Sequence, residues 1–408
     1  MSNRPRTRWI TALLACCAAA GAMAAGSGAE ISRYLESRIR ETHIPGVVAM
    51  VVDRQGTRYV GAFGRQDVAG NVAMREDAIF RIASMTKPVT SLAVMMLVEE
   101  GKIGLDDPIE RHLAEYANPQ VIDVFYPIER VYSTRPAARS ISVRHLLTHS
   151  SGLGYPFASL TLSQLQGSGP AAQALPSPPP LLHDPGVQWS YGESTRVLGR
   201  LVEKVSGQDL ESFMRARIFA PLGMDETSYS VPVAQHSRVA TVHRWVEGRL
   251  VESPNPAEIS SPPNGDGGLH STAADYAKFI RLFLNDGRTP EGRQLVSRRT
   301  IRSMGRNHLG DVRVRLQEAA TPNLSAVFPL GAGRDGFGLG FQVTGSPATA
   351  GLRSPGSLSW AGIFNTEFWI DPSRGIGGIL LMQYLPFYDK AAIDTLLGFE
   401  QRSYDLLR

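Results

Sequence analysis

The residues best suited to β-strands lie near the two ends of this 408-residue chain, and the stretch between them is helical and rich in loops. Val47 to Val52, a polar turn at Asp53-Arg54-Gln55-Gly56, and Tyr59 to Phe63 have the composition of a β-hairpin. Gly338 to Val343, Phe364 to Ile370 and Ile376 to Gln383 are strand-like near the C-terminus, the last two joined by the turn Asp371-Pro372-Ser373-Arg374-Gly375. A sheet has to bury a face against another layer. The pattern therefore predicts an α+β fold: one antiparallel β-sheet built from the N- and C-terminal segments and flanked by helices, with a mainly helical domain inserted. The α/β part is expected at 30–83 and 285–408, and the helical part at 84–284.

Apolar residues recur at helical spacing at Ile31, Leu35 and Ile39. Further helices are predicted from Ser84 to a stop at Gly101, at Val143 to Leu147, Thr195 to Val205 and Leu210 to Ile218, at Thr272 to Leu284 behind a cap at Ser271 or Thr272, and from Asp389 onward. Gly167 to Gly186 contains Pro178-Pro179-Pro180 and is too long for a simple connection, which predicts a flap near the site.

The N-terminus carries Arg4, Arg6 and Arg8, an apolar run from Trp9 to Ala20, and the small residues Gly21-Ala22-Met23-Ala24-Ala25. This is the layout of a signal peptide spanning 1–24, ahead of one domain over 25–408 in an exported, periplasmic or secreted protein. The apolar run is shorter than the ~20 residues needed to span a bilayer. A second reading, lipidation at Cys16, leaves only a very short apolar run before the cysteine. Cleavage after Ala24 removes both cysteines, and with the three leader arginines the formal charge falls from +4 to +1. No run of like charges and no arginine cluster interleaved with aromatics occurs, so nucleic-acid binding has no support.

Ser84-Met85-Thr86-Lys87 puts a hydroxyl and an amine on one helix face. An amine brought towards neutrality by burial and nearby cations can take a serine proton during attack on a carbonyl. Arginine, the chain's default cation, could not do so. The other lysines, at 102, 204, 278 and 390, have no serine three residues before them. By itself Ser-x-x-Lys also describes a helix cap followed by a solvated lysine.

Two further segments would complete the chemistry. In Trp189-Ser190-Tyr191-Gly192-Glu193-Ser194 a tyrosine precedes a helix; as phenolate it could act as base and later protonate a leaving group. The alternative for Tyr191 is a half-buried aromatic with a satisfied hydroxyl. In Ser359-Trp360-Ala361-Gly362-Ile363 a strand edge could offer a backbone N–H to a substrate oxyanion, or be an ordinary turn into a strand.

In this order the three segments resemble the serine β-lactamase and penicillin-binding-protein superfamily, class C β-lactamases and family VIII carboxylesterases above all. The resemblance extends to His145-Leu146-Leu147-Thr148-His149-Ser150-Ser151-Gly152-Leu153, Leu198 to Gly207, Pro221-Leu222-Gly223-Met224, Gly267 to Tyr276 and Phe337 to Phe341. It implies Ser84 as acylated nucleophile, Lys87 as its partner, Tyr191 as acid/base, and the backbone N–H groups of Ser84 and Ile363 as oxyanion donors. The chain departs from the lactamase pattern twice. Trp360-Ala361-Gly362 stands where class C lactamases have Lys-Thr-Gly, replacing a cation by an apolar ring, as in the Trp-x-Gly of the esterases. Tyr191-Gly192-Glu193 stands for Tyr-x-Asn, losing an amide and bringing a carboxylate that could hold Lys87 protonated.

The expected function is an exported serine hydrolase that cleaves a small-molecule carboxylic ester through an acyl-Ser84 intermediate, with Trp360, Ala361, Gly362 and Glu193 in the substrate pocket and neither metal nor cofactor. The alternatives are a β-lactamase or D-alanyl-D-alanine carboxypeptidase-type peptidase, transesterification by the same acyl-enzyme, and a catalytically silent sensor or binding module. His145 and His149 have zinc-ligand spacing, but no glutamate completes a His-Glu-x-x-His site. No Gly-x-Ser-x-Gly elbow or phosphate-binding glycine motif occurs. His270, on the Gly267-Gly268 turn, is expected to be solvated.

Overall fold

A computed structural model describes residues 27–167, 175–327, 330–346 and 352–407. The leader and Cys16 lie outside them. A helix over 27–41 (α1) leads into the hairpin β1 (Gly46–Asp53) and β2 (Thr57–Asp67) and the short β3 (Val72–Ala73). The middle of the chain contributes α2 (Thr86–Glu99), α3 (Ser194–Ser206) and α4 (Ala273–Leu284). The chain then returns through β4 (Gly336–Phe337), β5 (Gln342–Val343), β6 (Leu358–Gly362), β7 (Thr366–Asp371) and β8 (Ile376–Leu381), and ends in α5 (Lys390–Ser403).

These eight strands form one sheet in the order β4-β5-β6-β7-β8-β1-β2-β3, every neighbouring pair antiparallel. The two chain ends meet at β1 and β8, where Val48 faces Leu381 and Val52 faces Gly377. The apolar run of β1 is buried along its whole length because both sheet faces are covered. Alternation sends Val48, Met50 and Val52 into the main core with Phe368, Ile379 and the α4 residues Phe279 and Ile280. Val47, Ala49 and Val51 enter a second core with Ile31 and Leu35 of α1, Trp369, and Leu396 and Phe399 of α5. The α+β architecture is the expected one, and among the described residues no helix is long and apolar enough to cross a membrane.

α2 is buried from Thr86 to Leu97, as a helix apolar on all sides must be. It packs on α3 at the centre of the helical part. Thr272, not Ser271, caps α4 by accepting the Asp275 N–H at 3.2 Å. The helix expected at Leu210 to Ile218 is present, running as an α-helix over Leu210–Met214 and as a π-helix over Arg215–Phe219. Several expectations need correction. Gly338 to Val343 is not one strand: 338–341 is the connection between β4 and β5, with Gly340 at φ +101°. β7 begins at Thr366, since Asn365 turns the chain at φ +57°. The helical part also contains two unforeseen hairpins, Gln120–Tyr126 with Val131–Pro136 and Val242–Val246 with Arg249–Ser253. Of the expected flap, 168–174 lies outside the described residues. Leu181 and Leu182, within the expected flap, are pinned, their N–H groups donating to Gln120 O and Gly152 O at 2.8 Å each.

Candidate active site

Ser84 lies in a 3₁₀ turn, Ala83–Met85, immediately before α2. Ala83 adopts φ +45°, a left-handed conformation that costs a residue with a Cβ and is held by its surroundings. Those surroundings are dense: Ile82 N–H donates to Leu269 O at 3.0 Å, Thr366 Oγ1 to Ile82 O at 3.3 Å, and Tyr276 Oη to Met85 O at 2.9 Å. The nucleophile segment is thus pinned by the sheet on one side and α4 on the other.

Lys87, one turn on, is 2% exposed. Its Nζ donates to Ser84 Oγ at 3.0 Å and to the Asp266 carbonyl at 2.7 Å. Tyr191 arrives from the segment before α3, and its Oη lies 2.6 Å from Ser84 Oγ. The His145-to-Leu153 segment positions it: Ser190 N–H donates to His149 O at 2.8 Å, and Gly192 lies against Leu153, where an added Cβ would stand 2.0 Å from the carbonyl oxygen. The three residues singled out in sequence therefore meet, with two proton-carrying groups converging on one hydroxyl.

A second tyrosine competes for the same ammonium. Lys87 Nζ is 5.3 Å from the Tyr155 ring centroid and 5.0 Å from that of Tyr191. Tyr155 Oη, however, donates to the Asp266 carboxylate, and burial together with that carboxylate pushes its phenol well above the usual range. Tyr155 is thereby committed as a donor, and Tyr191 is the tyrosine that faces Ser84. Tyr155 and Asp266 were missed in the sequence, and neither stands in a position whose spacing to Ser84 would reveal it.

Glu193 does not reach Lys87. Its Oε1 accepts from the Arg196 guanidinium at 2.7 Å, and burial raises its carboxyl. Arg196 also lies 3.4 Å from the Asp266 carboxylate, so it binds the two acidic groups behind the lysine.

β6 supplies the opposite wall. Trp360 stacks on His149 with ring centroids 6.0 Å apart and meets Tyr191 edge-on at 5.2 Å. Burial and then the neighbouring Lys87 drive the His149 imidazole well below its usual value, so it stays neutral. Ile363 is the first residue of the turn after β6, and no acceptor among the described residues takes its N–H. Ser84, Tyr191, Trp360, Ala361 and Ile363 line a small pocket together with Phe157, Gln317, Phe387 and Tyr388. No lysine or arginine stands in that lining.

His145 Nδ1 accepts the Ser142 N–H at 3.1 Å in a capping box, and among the described residues no group of three or more His, Cys, Asp or Glu is arranged to hold an ion. His270 is buried rather than solvated, paired through its short strand to Phe80–Arg81, and burial lowers its imidazole to about 4.

A helical domain inserted into an antiparallel sheet, with serine, lysine and tyrosine meeting at their junction, defines the serine β-lactamase and penicillin-binding-protein superfamily. A family model described as Beta-lactamase matches residues 31–402, and the chain belongs to that family. Protein Rv1367c of Mycobacterium tuberculosis is 36% identical over 371 residues, covering 87% of this chain and 90% of that one. Esterase EstB of Burkholderia gladioli is 27% identical over 399 residues, covering 88% and 91%. The unliganded structure of simvastatin synthase (LovD) from Aspergillus terreus superposes with a TM-score of 0.76 at 26% identity, over 93% of this chain and 98% of that one. The family to which the chain belongs thus includes serine esterases and acyltransferases.

Proposed function

We propose that this protein is an exported serine hydrolase that cleaves neutral carboxylic esters through an acyl-Ser84 intermediate. The observation that carries the reading is the convergence of Lys87 Nζ and Tyr191 Oη on Ser84 Oγ, in an aromatic pocket whose lining holds no cation. The Tyr191–Lys87 pair takes the Ser84 proton through Tyr191 as Oγ bonds to the carbonyl carbon. The N–H groups of Ser84 and Ile363 receive the oxyanion. Collapse breaks the ester C–O bond, and Tyr191 passes its proton to the departing alcohol oxygen. Water then enters, gives a proton to Tyr191, attacks the acyl carbon and returns Ser84 to its hydroxyl form. A β-lactam or a peptide C-terminus presents a carboxylate, for which Trp360 and its neighbours offer no counter-charge.

A similar protein bears the name simvastatin synthase, which supports a second reading in which an alcohol replaces water as acyl acceptor. The test compares the purified mature chain with Ser84→Ala on p-nitrophenyl butyrate, with and without added alcohol, and on a chromogenic cephalosporin. Ser84-dependent ester turnover with little cephalosporin cleavage is expected; efficient cephalosporin cleavage would replace the esterase reading by a lactamase one. A transesterified product would establish the second reading. Export rests on the leader layout and is tested by whether the mature chain begins at Ala25.

A further inference from the structure

A second cavity, of about 280 Å³, lies between the sheet and α5, separate from the Ser84 pocket but sharing Trp360 and Tyr388 with it. Leu330, Leu352, Leu396 and Leu397 give it apolar walls. The charged residues of its described lining are Arg334, Asp335, Arg353, Glu367 and Glu400. A space of this size holds several waters or one small organic molecule.

Four of the five charged groups are paired with one another. Arg353 donates its backbone N–H and its Nε to Glu400 Oε1 at 2.8 and 3.0 Å. Arg334 Nε donates to Asp335 Oδ1 at 2.8 Å, and Asp335 also accepts from Gln342 Nε2 at 2.8 Å and from the Gly345 N–H at 3.0 Å. Glu367 is the fifth. Trp369, two residues further along β7, packs in the second core under α5, and alternation sends Glu367 to the same face. There it is 8% exposed, lines the cavity, and makes no hydrogen bond or ion pair among the described residues. The described lining thus carries two cations against three carboxyl groups, and the unmatched carboxyl is the one without a hydrogen bond. A buried carboxylate needs a partner of opposite charge.

We propose that this cavity binds a small organic amine, a monocation whose ammonium pairs with Glu367 and whose apolar body packs on Leu352, Leu396 and Leu397. The unmatched carboxyl selects the head group. The leucine walls favour an apolar body over a hydrated metal ion, because only the former removes apolar surface from water. Such an occupant adjoins the Ser84 pocket at Trp360 and Tyr388 without entering it. Glu367 is absent from the lining of that pocket, so the site stands whether or not Ser84 is acylated.

Binding carries a proton signature. In the empty cavity burial raises the Glu367 carboxyl to about 8, so it is mostly protonated at pH 7. The titratable and charged groups that face it are Arg353, Glu400, Tyr388, Arg334 and Asp335. An arriving ammonium favours the carboxylate, and the proton leaves Glu367 for the solvent.

The test titrates the mature chain with benzylammonium chloride by calorimetry, with benzyl alcohol as the uncharged ligand of the same shape. Benzylammonium is expected to bind at pH 7 with a dissociation constant of about 1 mM or tighter, and benzyl alcohol at least about tenfold more weakly. Repeating the titration in buffers of different ionisation enthalpy should show the release of about one proton per amine. The affinity should rise about tenfold from pH 6 to pH 7, as the ionised fraction of a group near 8 does. Glu367→Gln should lower the affinity by more than about tenfold and abolish the proton release. No saturable binding up to about 10 mM overturns the proposal. Binding to the wild type without proton release, or with an affinity unchanged in Glu367→Gln, overturns it as well. None of these outcomes bears on Ser84-dependent ester turnover, which is assayed separately.

Discussion

Gly362 lies so close to Ile82 that a Cβ added to it would stand 2.3 Å from the Ile82 carbonyl oxygen, and at the same distance from Thr366 Oγ1. This approach brings the end of β6 against the residues that carry Ser84, and with it the Ile363 N–H. Gly362→Ala should force the two segments apart. Overpacking of this kind costs about 1–3 kcal/mol in stability. A displaced oxyanion donor lowers kcat by about 10²-fold or more. Thermal unfolding and ester turnover measured together check this, and a variant with normal kcat would remove Ile363 from the oxyanion site.

Lys87 is placed to handle a proton as well as a charge. Lys87→Arg preserves the charge but cannot release a proton, so it should lose activity nearly as fully as Lys87→Ala, by about 10²- to 10⁴-fold in kcat. Tyr191→Phe should fall in the same range while leaving KM for the neutral ester within a few-fold. Substantial activity in Lys87→Arg would limit the lysine to an electrostatic role.

The carboxylate of Glu193 is spent on Arg196. Glu193→Gln is therefore expected to leave the acidic limb of the pH–rate profile within about half a unit of the wild type, well inside the ordinary spread of carboxyl values. A larger displacement would mean that Glu193 acts on Lys87 through a rearrangement absent from this structure.

Glu367 lies beside Ala361 in the β6–β7 register, 8% exposed. Burial raises its carboxyl from 4.5 to about 8, against the attraction of Arg353, which is already paired with Glu400. Since the folded value exceeds the unfolded one, its contribution to stability is fully present below pH 4.5 and is lost as the pH rises to about 8. Glu367→Gln removes that loss. It should raise the unfolding free energy by about 2 kcal/mol at pH 8 and much less at pH 5. An equal effect at both pH values would mean that Glu367 titrates normally.

Local periodicity and composition were enough to read β1, β2, α2 and α3 within a few residues, because each has an apolar pattern that makes sense only when buried. The hairpin from Gln120 to Pro136 escaped for the opposite reason: most of its side chains are intermediate or exposed, so no apolar alternation marks it. The site divides in the same way. That Ser84 and Lys87 stand side by side was legible from a helical spacing within one segment, whereas the approach of Tyr191 to them could be expected only from the resemblance of its segment to those of a family.

The sequence alone determined the proton-carrying groups beside Ser84 and the replacement of a lysine by Trp360, since these are matters of which atoms the side chains bear. Tertiary structure decided which groups act together. It gave Asp266 to Lys87, and Tyr155 and Arg196 to Asp266, and it set Gln317 beside Tyr191, more than a hundred residues away in the chain. Hydrogen bonds and ion pairs depend on distance and angle in space, and over such separations those are set by how the helical part packs on the sheet.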